Sequence, residues 1–183
     1  MFGPYLRGAH VTLRPADDGD PPRFVPWFAD MDVTKYLGRP SAVGLYHEID
    51  FFKRIGESKN DVFWMIESDG EAVGATGIHA IDWRNAFGTT GIVIGDKTKW
   101  GRGIASEAMR LRTRYAFREL NLRKLITEVF VENAASRRAL DKAGYRTVGI
   151  HRAHFFTRGR HHDVWLGEVL REDWEKTQTQ TTT

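Results

Sequence analysis

The segment best suited to hold an anion is Trp100-Gly101-Arg102-Gly103-Ile104-Ala105-Ser106, where two glycines stand at the start of a helical pattern. A helix start leaves backbone N–H groups without partners and carries the positive end of the helix dipole, so it suits a phosphate. Glycines let the backbone approach such an anion with no Cβ in the way, and Lys97, Lys99 and Arg102 add positive charge. The same two glycines also suit a plain turn, and the residues alone leave both open. A Walker loop needs Gly-Lys-Ser/Thr, and Gly101 to Ser106 has no lysine before a hydroxyl. A dinucleotide fingerprint wants a third glycine where Ser106 stands, near a first strand rather than past mid-chain. Both familiar nucleotide folds fit poorly. A second cluster, His161-His162-Asp163, has metal-ligating residue types, but neighbours on a strand point to opposite faces, so only His161 and Asp163 could share one. No metal site is expected.

The elements around these residues follow from their periodicity. Gly91-Ile92-Val93-Ile94-Gly95 is a short apolar run that reads as a buried strand, and Ile104, Ala108, Leu111 and Tyr115 mark one face of the helix that follows the glycines. Before them, a strand at Val11–Arg14 stops at Pro15, short helical pieces span 24–30 and 33–37, and a helix spans 47–58. Strands at 62–66 and 72–81 flank the turn Ser68-Asp69-Gly70-Glu71. Strands are also expected at 89–94, 124–131, 147–156 and 163–170, with a helix at 134–142 closed by Gly144. The order predicts a mixed α/β sheet with helices on its faces.

At 183 residues the chain reads as one domain over 1–176, with a polar, frayed tail over 177–183. It has no cysteine, which excludes disulfides, thiolate zinc sites and a cysteine nucleophile. No apolar run approaches the roughly 20 residues of a membrane span, and the first residues lack a signal-peptide pattern, so a cytoplasmic protein is expected. The net charge of +3 is mild, and basic residues are densest from Lys97 to Arg160. That suits a cofactor carrying several phosphates; it would also suit RNA.

Together these pieces resemble the GNAT superfamily of N-acetyltransferases, whose cofactor loop Gln/Arg-x-x-Gly-x-Gly/Ala is matched here at Gly103 and Ala105. Trp100 stands at the loop's first position, as in the RimJ/RimL-like branch. A second motif, Asn133-Ala134-Ala135-Ser136-Arg137-Arg138-Ala139-Leu140-Asp141-Lys142-Ala143-Gly144-Tyr145, is similar to that branch's Asn-x-x-Ser-x-x-x-Leu-x-Lys-x-Gly-Phe/Tyr. Arg152, Gly159 and Asp163 give a looser third match.

The resemblance implies a single α/β domain with a mostly antiparallel sheet of about seven strands. The strands at 89–94 and 124–131 splay apart to admit the acetyl-pantetheine arm of acetyl-CoA. Ile92, Val93 and Ile94 line the arm by backbone contacts. Lys99, Trp100, Gly101, Arg102, Gly103, Ile104, Ala105 and Ser106 surround the pyrophosphate, with Arg138 adding charge. Asn133 either hydrogen-bonds the arm or caps the following helix. The relatives suggest Ser136 as the group that meets the departing thiolate. The tyrosine used elsewhere falls on Leu140, and Tyr145 reads as a core aromatic. The relatives' basic glutamate falls on Phe155, with His154 beside it on the opposite face. Glu128 is the residue carried as base, with His79, Asp163 and a water chain as alternatives.

The implied activity is acetyl transfer from acetyl-CoA to a primary amine, with a ribosomal-type protein N-terminus as the leading acceptor. A small amine (polyamine or aminoglycoside) is the rival, kept open by Asp30, Asp32, Glu48, Asp50 and Glu57; a non-catalytic acyl-CoA sensor is the reading from another class. No metal, membrane or direct nucleic-acid partner is expected, and a homodimer is an assembly the resemblance allows.

Overall fold

The computed structural model describes residues 1–38 and 41–180, with the side chains of residues 179 and 180 set aside. Eight strands form one sheet: β1 (Leu6–Arg7), β2 (Thr12–Arg14), β3 (Val62–Ser68), β4 (Glu71–Asp82), β5 (Phe87–Ile94), β6 (Lys124–Phe130), β7 (Arg146–Thr157) and β8 (Arg160–Leu170). Their order is β1-β2-β3-β4-β5-β6-β8-β7, and every neighbouring pair is antiparallel except β5 and β6. The strand beyond the expected seven is β1, whose two residues are too few to show any alternation.

Helices α1 (Pro21–Ala29) and α2 (Leu45–Glu57) cover one face of the sheet, and α3 (Ile104–Arg118), α4 (Ala134–Lys142) and α5 (Arg171–Gln180) pack on the other side. Helix α1 starts before the expected position because Pro21 and Pro22 fill its first turn, where a missing N–H costs nothing. The segment expected at 33–37 is a 3-10 turn, Thr34–Tyr36. The tail expected over 177–183 is corrected in part. Thr177 and Gln178 lie within α5, which buries Trp174 against Phe117 at a ring separation of 5.5 Å. Residues 181–183 fall outside the described residues.

Two apolar clusters hold these layers. Trp64, Met109, Leu125, Leu140 and Trp165 belong to the α3 side, and Phe24, Phe52, Phe63 and Met65 to the α1 and α2 side. Phe24 and Phe52 meet edge to face at 5.2 Å, which ties α1 to α2. Arg14 of β2 clasps the buried Asp20 with two hydrogen bonds of 2.7 and 2.8 Å and so fixes the start of α1 to the sheet.

Candidate active site

Strands β5 and β6 pair only at Phe87–Lys124, Gly88–Leu125 and Thr89–Ile126, and then diverge. Side chains replace ladder bonds where the fork opens. Thr90 Oγ1 donates to Ile126 O at 3.1 Å, and Thr127 Oγ1 donates to Thr90 O at 3.1 Å. A cavity of about 790 Å³ occupies the fork. The first turns of α3 and α4 line it together with Tyr36, Phe130 and Phe155, and the Tyr36 hydroxyl donates to Glu132 O at 3.4 Å, just ahead of α4.

The direction of the β5 backbone groups follows from its pairing with β4. Gly95 N donates to Val73 O at 2.9 Å, one register step beyond Gly74–Ile94. Pairs alternate along an antiparallel ladder, so Ala75–Val93 and Gly77–Gly91 are the next hydrogen-bonded pairs. Ile92 and Ile94 therefore turn their N–H and C=O groups towards the fork. Trp100 Nε1, donating to Ile94 O at 2.9 Å, uses one of these groups. Val93 is a correction: its backbone faces β4, and its side chain packs on the α1 and α2 side.

Gly101 and Gly103 hold φ angles of 76° and 81°, left-handed values that other residues adopt only with strain. They swing the chain into α3, whose first N–H groups have no acceptor within the helix. Lys99, Trp100, Gly101, Gly103, Ile104, Ala105 and Ser106 all line the cavity, as do Ile92, Val93, Ile94, Asn133, Ser136, Arg138 and Glu128. Arg102 does not: it lies exposed between the two left-handed glycines and contributes to the field at Asp69. Two of the lysines expected to serve an anion are already engaged. Lys97 bridges to Asp30 at 2.7 Å and Asp32 at 3.3 Å, and Lys99 to Asp69 at 2.7 Å, which holds the Asp69 carboxyl below its usual range.

Asn133 caps α4, its side chain accepting from Ser136 N at 3.1 Å. The cap places half-buried Ser136 in the first turn, facing the cavity. Leu140 is buried in the core, and the Tyr145 hydroxyl meets Thr90 Oγ1 at 3.0 Å. Phe155 stacks on Phe130 at 5.4 Å.

Glu128 sits across the fork from Gly91, since each lies two residues beyond the last paired position, Thr89–Ile126, of the parallel ladder. It is exposed on the cavity wall that Phe130 and Phe155 also line. His79 lies against the glycines of the same row: a Cβ on Gly77 would come within 2.6 Å of its Nε2, and one on Gly91 within 3.8 Å. Its Nδ1 lies 3.4 Å from Asp61 Oδ1. Burial pushes the His79 pKa down, outweighing the pull of Asp61. Asp163 is occupied elsewhere, accepting from Ala153 N at 2.8 Å, while His162 pairs with Glu132 at 2.9 Å. Among the described residues no group of three or more His, Asp or Glu side chains is placed to hold a metal.

The element that sequence reasoning missed is Arg112. It is 1% exposed on the inner side of α3 and lines the cavity where the fork opens. Its Nη1 donates to Thr76 Oγ1 at 2.6 Å and to Gly91 O at 2.8 Å. A signal existed: Arg112 follows Leu111 and sits four residues after Ala108, on the face that the periodicity assigns to the core.

Comparison with known proteins agrees with this geometry. Residues 10–146 match the family of acetyltransferase (GNAT) domains. The chain is 26% identical to "Uncharacterized N-acetyltransferase p20" of Bacillus licheniformis, over 90% of this chain and 94% of that protein. It is 27% identical to "Putative ribosomal N-acetyltransferase YdaF" of Bacillus subtilis, over 91% of this chain and 94% of the relative. In fold it is similar to a spermidine N-acetyltransferase from Vibrio cholerae solved with CoA and spermine, with a TM-score of 0.85 at 20% identity, covering 92% of this chain and 99% of that one.

Proposed function

The chain belongs to the family of acetyltransferase (GNAT) domains, and from that premise we propose that it acetylates the N-terminal amine of a protein, ribosomal proteins being the leading class. Membership makes it an N-acetyltransferase that takes acetyl-CoA as co-substrate. The observation that carries the reading is the fork, whose one cavity is lined both by a helix start suited to an anion and by the largely apolar Tyr36, Leu37, Phe130 and Phe155, which suit an acceptor. The residues fit acetyl-CoA: left-handed glycines and first-turn amides at the start of α3 suit its pyrophosphate, and the free edge of β5 suits an extended arm.

In this reading Ile104, Ala105 and Ser106 present amides to the pyrophosphate, flanked by Lys99, Trp100 and Arg138. Glu128 accepts the proton of the attacking amine, and the Ser136 hydroxyl donates a hydrogen bond that stabilises the departing thiolate. The acceptor side of the cavity favours a single amine over a polycation. Tyr36, Leu37, Phe130 and Phe155 make it largely apolar, and its exposed carboxylates on the described wall are Glu128 and Asp32, the latter sharing Lys97 with Asp30. Of the other acids raised for a polycation, Glu48 is buried, and Glu48, Asp50 and Glu57 all lie off the cavity wall. The YdaF similarity supports the same class and placement in the RimJ/RimL-like branch. A cytoplasmic location belongs to the same proposal, as does homodimerisation through β7, an edge strand with Val148, Ile150 and Phe156 exposed.

A thiol-release assay over peptides, spermine and an aminoglycoside tests it. Turnover is expected with peptides bearing a free N-terminus, falling about 100-fold or more in Ser136→Ala with acetyl-CoA affinity held. Faster turnover of spermine overturns the acceptor class, and tight acetyl-CoA binding without release of CoA from any amine favours a sensor.

A further inference from the structure

Arg112 is a buried cation without a counter-ion. Among the described residues no carboxylate lies within ion-pair distance of it, and its Nε has no hydrogen-bond partner. Burial lowers its pKa, with the Tyr145 hydroxyl pulling the other way. A guanidinium starts so high that it stays charged at neutral pH. Burying an unpaired charge is costly, and the fold meets little of that cost with the two hydrogen bonds to Thr76 and Gly91. The charge is placed with care all the same: it lies at the carbonyl end of one peptide unit, Gly91–Ile92.

The other end of that unit is the Ile92 N–H, which strand alternation turns into the fork. A cation and the Thr76 hydroxyl (2.8 Å) on the Gly91 carbonyl draw electron density along the planar peptide and make the opposite N–H a stronger donor. Resting on the acetyl-CoA reading above, we propose that Arg112 is a positioning and polarising residue, which acts through the Gly91–Ile92 peptide to strengthen the Ile92 N–H as donor to the thioester oxygen. As the amine nitrogen adds to the thioester carbon, one electron pair of the C=O bond moves onto oxygen. It returns when the C–S bond breaks, the amine proton passing to Glu128 and from there to solvent, while CoA leaves as a thiolate that accepts a hydrogen bond from Ser136 and takes its proton from water. A preorganised donor stabilises the charge on that oxygen most where the negative charge is greatest.

The test reads the thioester itself. Acetyl-CoA labelled with carbon-13 at the carbonyl is bound to the wild-type chain and to Arg112→Met, and the C=O stretch is followed by infrared difference spectroscopy beside calorimetric affinity. The wild type is expected to shift the stretch to lower frequency. Arg112→Met should lose at least about half of that shift, keep its affinity within about threefold, and lower kcat about tenfold or more with little change in KM. Arg112→Lys, which keeps the charge, should recover part of the shift. Should the Met variant not fold, Arg112→Gln is read in the same way. Equal stretches in folded variant and wild type overturn the proposal. Absence of acetyl-CoA binding by the wild type overturns instead the reading on which it rests.

Discussion

Gly103 shows how a single residue serves the site. Its φ of 81° is closed to most side chains, yet the space where a Cβ would sit is open. Gly103→Ala should therefore cost about 1–2 kcal/mol in urea unfolding from backbone strain alone. Gly103→Glu adds a negative charge beside the α3 amides and should weaken acetyl-CoA binding at least about tenfold by calorimetry. Unchanged affinity in the Glu variant refutes the pyrophosphate assignment. Asn133 was open in the sequence between capping and substrate contact, and its bond to Ser136 N gives it the cap. Arg112 went unread for a plain reason: helical periodicity marks a position as inward but says nothing of what a charge would meet there.

At the level of elements, the fork is set by where β5 and β6 stop pairing, and its walls by what the helices bring. Helix α1 leads into Asp32 and Tyr36 on the cavity wall, so its anchorage matters. Asp20 is buried and doubly bonded to Arg14, and Asp20→Ala removes the two shortest contacts of that guanidinium, leaving it Glu67 at 3.1 Å and Asp17 at 3.4 Å. Loss of about 1.5–3 kcal/mol is expected in denaturant unfolding, and a loss under 1 kcal/mol would show the pair to be expendable. The strands on either side of the Asp69–Gly70 turn, the strand-to-helix step at Gly103 and the cap at Asn133 were legible because each has a local residue signature. Strand β1 and helix α5 were not, since their residues become ordered by pairing with Leu13 and Thr12 and by burial of Trp174.

The molecule as a whole responds to pH through groups such as His79. Its pKa lies below 6.5 in the fold because burial disfavours the imidazolium, with Arg112 adding repulsion and Asp61 opposing. The unfolded chain then binds the proton more readily. The stability tied to His79 is complete above its unfolded pKa near 6.5 and is lost as pH falls through the folded value. Asp61, held below 3.8 because hydrogen bonds from Ser58 and Ala80 outweigh burial, loses its share only at lower pH. Thermal melts should fall between pH 6.5 and 5 for the wild type and less steeply for His79→Gln. Parallel curves would remove His79 as the source.

From its own residues the chain determined the order of most elements, a turn suited to an anion and a resemblance to the GNAT superfamily that the family match bears out, because periodicity, glycine and capping residues act over a few neighbours. The fold decided the rest. The parting of β5 and β6, the backbone direction that gives Ile92 rather than Val93 to the fork, the neutralisation of Lys97 and Lys99, and the charge beneath Gly91 all depend on partners far along the chain, and such partners meet only when the sheet closes.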